Sequence, residues 1–213
     1  MLQAESEGLT ALGAAGDLPV PDVVRCSPLS MGGGALLLEY IPPGKGSNSS
    51  YAQLGRGLAG LHQNTSSQFG WECSNYIGTL PQSNSPETDW GVFYARQRLF
   101  PLYRMAAASG QLSRSEIPDS ELMIARIASM VPEISPSLLH GDLWAGNWGS
   151  CDDAPVIFDP AVYYGDRETD LAMTRLFGGF GPAFYSAYEA AAPLAPGHRA
   201  RCDLYQLYHV LNH

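Results

Sequence analysis

The stretch that most constrains this chain runs from His140 to Asp159. It begins His140-Gly-Asp-Leu-Trp-Ala-Gly-Asn147 and ends Val156-Ile-Phe-Asp159. Between Asn147 and Asp159 lie Trp-Gly-Ser, a turn-like Cys151-Asp-Asp-Ala-Pro155 and Val-Ile-Phe, a pattern that predicts a β-hairpin. The arms of a hairpin return to one end, so Asn147 and Asp159 should face each other at its mouth. Asp142, five residues before Asn147, is within reach of the same space. A fold containing this stretch must converge three oxygen-bearing side chains on one cleft.

The order Asp, Asn, Asp is the one a phosphoryl-transfer loop of the H-x-D-x-x-x-x-N type requires. Asp142 can accept a proton from a substrate hydroxyl, and Asn147 and Asp159 can offer oxygens to magnesium. A few hard oxygen donors that leave room for phosphate and water suit that ion. The plain alternative is that both aspartates merely cap turns. Trp144, inside the loop, could stack on a sugar-like substrate or anchor the loop in the core. Asp170, in Asp166-Arg-Glu-Thr-Asp170, could hold the loop by accepting hydrogen bonds from its backbone. Alternatively it is a helix N-terminal charge favoured by the helix dipole.

Apolar periodicity predicts a first helix over 2–12, with Leu2, Leu9 and Leu12 inward. An extended Pro19–Val24, a turn at Gly32-Gly-Gly34 and an apolar strand over 35–41 follow. Helices are expected over 51–62, 90–109 and 120–131, with a long loop over 64–88. After the catalytic stretch come helices over 169–177, 183–191 and 199–213. The fold class this implies is α+β, with 1–43 as a small partial lobe and 51–213 as a larger helical one. Gly44–Ser50 is the candidate linker. The first helix is expected to begin before Met1, and the last to run on beyond His213.

Charge and composition exclude several classes. The net charge of −9 comes without a basic stripe, so no nucleic-acid partner is expected. No apolar run approaches a membrane span, and the N-terminus lacks a secretory signal, so a cytoplasmic protein with no membrane partner is expected. Cys26, Cys73, Cys151 and Cys202 are widely spaced and read as reduced thiols. Gly55-Arg-Gly-Leu-Ala-Gly60 matches a phosphate-loop string, yet it sits in a helical pattern with no strand before it and reads as helix packing. Gly44-Lys-Gly-Ser47 lacks the upstream glycine of a P-loop. His209 and His213 lack the glutamate of an HExxH zinc site, and His62 reads as a buried, hydrogen-bonded histidine.

A kinase also needs a strand lysine, paired with a helix glutamate, to hold the nucleotide phosphates. Glu5 or Glu7 could be that glutamate. Eleven of the 12 basic residues are arginine. The single lysine, Lys45, follows the strand in a Pro/Gly loop and cannot fill the role. The phosphate-holding half of a nucleotide site is thus expected to lie outside these 213 residues.

The chain resembles the fructosamine/ketosamine-3-kinases, a branch of the protein-kinase-like fold shared with aminoglycoside phosphotransferases and choline kinases. The resemblance rests on Leu138-Leu-His-Gly-Asp-Leu-Trp-Ala-Gly-Asn147, Ile157-Phe-Asp-Pro-Ala161 and Tyr164-Gly-Asp-Arg-Glu168. Leu58-Ala-Gly-Leu-His62, Phe93-Tyr-Ala-Arg-Gln-Arg-Leu99 and Tyr205–Asn212 continue it over nearly the whole chain. It implies a two-lobe fold with an incomplete N-lobe and a mainly helical C-lobe. The implied reaction moves phosphate from ATP, with Mg2+, to the sugar 3-hydroxyl of a small or protein-bound ketosamine, which frees the amine. Under it, Asp142 is the proton acceptor, Asn147 and Asp159 hold the metal, and Glu39, Tyr40 and Ile41 form the hinge that meets adenine. Glu5 is the helix glutamate. A small-molecule phosphotransferase of the aminoglycoside or choline type, and an inactive kinase-like remnant, are the competing readings.

Overall fold

A computed structural model describes residues 1–42, 44 and 46–213; Lys45 therefore lies outside the described residues. The chain opens with α1 (Leu2–Ala15), which buries Leu9 and Leu12 and ends at Gly16, whose φ of +77° is the left-handed stop a glycine tolerates. It packs on an antiparallel ribbon of β1 (Val23–Pro28) and β2 (Gly34–Leu38). Two expectations are corrected here. Val23–Pro28 is a full strand rather than the end of an extended connection. The apolar strand stops at Leu38 rather than Ile41; despite its composition it is largely exposed. The ladder runs out because its partner begins just after Pro21, which has no N–H to give.

Helix α2 (Asn48–Leu61) starts at a capping box in which Ser47 and Ser50 satisfy each other's backbone. It runs against α7 (Pro182–Ala191) at backbone contact distance: a Cβ at Gly55 would lie 2.2 Å from the Phe184 carbonyl oxygen. Cβ atoms at Gly57 and Gly60 would meet Leu18 and Asp17 at 2.3 and 2.4 Å. The glycine-rich string is therefore a packing surface, as expected.

The segment expected as one long loop holds a hairpin, β3 (Asn75–Ile77) with β4 (Leu80–Gln82), turned at Gly78 with φ +55°. Each arm is only three residues long, Asn-Tyr-Ile and Leu-Pro-Gln, too short for periodicity to announce a strand. The helix expected over 90–109 is interrupted: α3 (Trp90–Phe93), a π-helical stretch (Tyr94–Leu99), then α4 (Phe100–Ala108). Pro101 causes this, because it cannot donate to the carbonyl of Gln97 four residues back. The Arg98 side chain donates to that carbonyl instead, at 3.1 Å.

After α5 (Ser120–Met130) come β5 (Ser137–Leu139), the hairpin β6 (Trp148–Cys151) and β7 (Ala154–Ile157), and β8 (Tyr163–Gly165). The β6–β7 hairpin is as the sequence predicts, pairing Trp148 with Ile157. Asp152 and Asp153 turn it with φ of +48° and +64°, the sign pattern of a type I′ turn. Strand β5 pairs antiparallel with β8, which gathers both ends of the catalytic stretch. The helices α6 (Glu168–Leu176), α7 and α8 (His198–Asn212) complete the chain. One apolar core joins α1, α2, α7 and the β6–β7 hairpin, through Leu12, Leu58, Ile157 and Phe184. A second joins Trp90, Phe93, Tyr163 and Tyr205 beneath the β5–β8 pair.

Candidate active site

The turn from β5 into the catalytic loop is held from beneath. Asp170, on the first turn of α6 and fully buried, accepts the His140 amide at 2.8 Å and the Gly141 amide at 2.9 Å. Of the two readings open for Asp170, the loop-holding one is what the structure displays. His62, from the end of α2, meets the same carboxylate at 3.2 Å, and its other ring nitrogen meets Tyr188 Oη at 2.8 Å. Burial alone would raise Asp170. The His62 hydrogen bond and charge, with His140 and the Gly141 amide, outweigh it and hold the carboxyl below its ordinary value.

His140 is locked by its own bonds. Its Nδ1 accepts the Asp142 amide at 3.2 Å, so Nε2 carries the hydrogen that reaches the Phe158 carbonyl at 3.0 Å. Burial pushes this imidazole's pKa down, consistent with a neutral ring. Gly141 makes the crossing possible: its φ is +84°, and a Cβ there would sit 2.1 Å from the Ala161 carbonyl oxygen. The loop and the segment after Asp159 touch backbone to backbone, and the Ala161 amide donates to the His140 carbonyl at 2.9 Å.

The three oxygen-bearing side chains are brought together. Asn147 Nδ2 donates to the Asp142 carbonyl at 2.9 Å, approaches the Asp142 carboxylate at 3.4 Å and reaches the Asp159 carbonyl at 3.3 Å. With Nδ2 so engaged, Oδ1 is the atom left to meet a cation. Asp159 sits at φ +56°, a left-handed conformation that non-glycine residues adopt at a cost. Burial, then the charges of Asp159 and Asp170, raise the Asp142 carboxyl to about 7, while Asn147 opposes them. A carboxylate in that range can take up a proton near neutral pH.

Met1, Glu5, Asn75, Tyr76, Asp142 and Asp159 line one cleft. Glu5 belongs there: burial and the Asp159 charge raise its carboxyl. Glu7 turns aside to Cys73, 3.7 Å away. Glu39, Tyr40 and Ile41 are not among the lining residues. They follow β2, where Glu39 exchanges bonds with Asp22 and Tyr40 is exposed. Trp144 divides its surface: its ring lies over Gly146, where a Cβ would come within 2.3 Å, yet 41% of the residue stays exposed beside Phe177.

Asn75 and Tyr76 carry no site signal in the sequence, which predicts loop over 64–88 where the structure has the β3–β4 hairpin. In the sequence His140 has no role beyond opening the H-x-D spacing; its loop-locking bonds emerge only in the structure. Among the described residues, no three His, Cys, Asp or Glu side chains form a metal cage, and no helix is long and apolar enough to cross a membrane. The donor set suits magnesium nonetheless, since that ion takes one or two carboxylates and fills its remaining positions with phosphate and water. The cleft's described lining has three carboxylates and no Arg or Lys, so it does not itself grip phosphate.

The fold and site define a kinase-like phosphotransferase. The profile described as fructosamine kinase matches residues 1–213, and the chain belongs to that family. A protein of Synechocystis described as a ketoamine kinase is 42% identical over all of this chain and 72% of its own length. The chloroplastic protein-ribulosamine 3-kinase of Arabidopsis thaliana is 40% identical over all of this chain and 66% of its own length. A solved Thermobifida fusca structure described as a fructosamine-3-kinase superposes with a TM-score of 0.90 at 36% identity, covering 100% of this chain and 73% of that one. A choline/ethanolamine kinase family structure from Mesorhizobium loti shares the fold alone, with a TM-score of 0.59 at 15% identity, covering 99% and 69%. The family's members are named as kinases, and ATP-dependent phosphotransfer is the reaction class.

Proposed function

We propose that the protein transfers phosphate from ATP to the sugar 3-hydroxyl of ketosamines, fructosamines or ribulosamines on small amines or on proteins. The observation that carries this reading is the meeting of Asp142 and Asn147 at 3.4 Å, beside a half-exposed Trp144. In it, Asp142 accepts the hydroxyl proton as the oxygen attacks phosphorus. Trp144 offers its open face to the sugar, with Phe177 edge-on at 6.4 Å as the side wall. Asn147 Oδ1 and the Asp159 carboxylate would hold Mg2+, whose charge offsets that of the transferring phosphate when bound. Glu5 would orient the phosphate-holding cation, and Glu39, Tyr40 and Ile41 would meet adenine through their backbone.

Residues 1–43 would then form part of the nucleotide-side lobe and 51–213 the lobe that positions substrate. The four cysteines, free in the structure, suit the cytoplasmic setting proposed from the sequence. The test is phosphorylation by the full-length protein with ATP and Mg2+, comparing a fructosamine, a ribulosamine, an amino alcohol and an aminoglycoside. Transfer to either ketosamine at the 3-hydroxyl is expected. Transfer only to the amino alcohol or the aminoglycoside would overturn the substrate assignment.

A further inference from the structure

Arg98 is a buried cation that the proposed reaction does not use. It is fully buried, and among the described residues no carboxylate pairs with it. Burying a charge without a counter-ion is costly, so its surroundings must compensate. Its guanidinium lies 3.9 Å from the Tyr163 ring centroid, 4.8 Å from Phe93 and 5.8 Å from Tyr208. These aromatic faces attract a desolvated cation. Its remaining contacts are the carbonyls of Ser83 and Gln97 and the side chain of Asn84, at 2.7 Å. The π-helical stretch forced by Pro101 delivers the guanidinium to that spot.

A guanidinium only donates, and this fixes the next group in line. Asn84 must present Oδ1 to Arg98, so its Nδ2 faces Asn75 Oδ1 at 2.8 Å. Asn75 in turn presents its oxygen, so its Nδ2 reaches the Val162 carbonyl at 2.8 Å. Gln82 repeats the pattern: Tyr208 Oη donates to its Oε1 at 2.7 Å, and its Nε2 donates to Asn75 Oδ1 at 2.8 Å and to the Ala161 carbonyl at 3.1 Å. Two amide relays therefore end on consecutive carbonyls, two and three residues past the left-handed Asp159.

We propose that Arg98 is a positioning residue for phosphotransfer. Through Asn84, Asn75 and Gln82 it sets the direction of every amide in the relay, clamps the Ala161 and Val162 carbonyls, and so holds Asp159 at the cleft. The catalytic consequence rests on Asp159 being the metal carboxylate proposed above; the clamp does not. An apolar core could fill this volume without a charged group, but it could not point three amides one way.

Asn84→Asp separates this role from simple stability. It gives Arg98 a counter-charge, yet it takes away the donor to Asn75 and turns an acceptor toward Asn75 Oδ1. In the full-length protein, Asn84→Asp and Arg98→Met should speed amide hydrogen exchange across Phe158–Val162 by about tenfold relative to α5. Both should raise the Mg2+ concentration for half-maximal turnover with little change in ketosamine KM. Arg98→Lys should not rescue, because an ammonium lacks the fork that engages Ser83 and Asn84 together. Where Arg98→Met fails to fold, Asn84→Asp alone decides. Unchanged exchange at Phe158–Val162, an equal rise across the whole chain, or full rescue by Lys would each overturn the proposal. If the wild type phosphorylates no ketosamine, the function reading falls while the exchange measurement still judges the clamp.

Discussion

Replacing Asp170 by Asn tests how the catalytic loop is held. The substitution keeps shape but halves the oxygens and adds a donor. Asp170 now accepts three bonds, from the His140 amide, the Gly141 amide and His62. An asparagine can serve one side with its oxygen, but its NH2 must then face a backbone N–H on the other. Losing one charge-assisted bond costs about 2 kcal/mol, and a buried unsatisfied amide adds about 2 more. For a chain of this size about 4 kcal/mol lowers Tm by roughly 8–16 °C. A loop displaced by even ~1 Å lowers kcat on the order of 100-fold. Because Asp170's folded pKa lies below its ordinary 3.8, its stabilisation is complete above that value and is lost as pH falls through the folded one. The deficit should therefore be the same at pH 7 and pH 5. Urea unfolding at both pH values, with turnover measured below the melting transition, supplies the comparison. A deficit under about 1 kcal/mol, or an undiminished kcat, would refute the loop-holding argument.

Asp142→Asn should lower kcat by about 10³-fold while leaving nucleotide-induced stabilisation intact; a variant that keeps most of its turnover would contradict the base assignment. Trp144→Ala should raise ketosamine KM more than it lowers kcat, as read from initial rates; an unchanged KM would assign the ring to loop anchoring alone. Gly55→Ala should destabilise by about 1–3 kcal/mol in denaturant titration, because its Cβ would strike the Phe184 carbonyl at 2.2 Å. His209, which burial pushes from 6.5 down to about 4, should make stability fall by about 3 kcal/mol as pH drops through that interval, since the unfolded chain takes the proton first. Asp166, raised from 3.8 to about 6, acts in the opposite sense over much of the same range. Relative to the parent, His209→Gln should gain stability and Asp166→Asn should lose it as pH falls, in melting curves from pH 7 to 4; Asp142, raised to about 7, acts in the Asp166 sense in all three proteins.

What could be read from the chain alone follows a physical divide. The β6–β7 hairpin was legible because an apolar run, a two-residue aspartate turn and a second short strand are local signals, and the structure brings Asp142, Asn147 and Asp159 together around it. His62 was legible as a buried histidine but not as the partner of Asp170, since 108 residues separate them. The β3–β4 hairpin was invisible for a related reason: beside Ile77 and Leu80, it is held by Asn75 and Gln82 bonding to the distant Val162 and Ala161 carbonyls. Periodicity registers burial of apolar side chains and is blind to buried amides. Arg98 shows the limit most sharply. In the sequence it is one of three polar residues in a row, Arg96-Gln-Arg98, on a helix expected to be regular. Only Pro101, three positions on, hints that the helix must widen. Local sequence thus announced the residues proposed to meet the substrate, whereas those that hold them still emerge only when distant segments share a core.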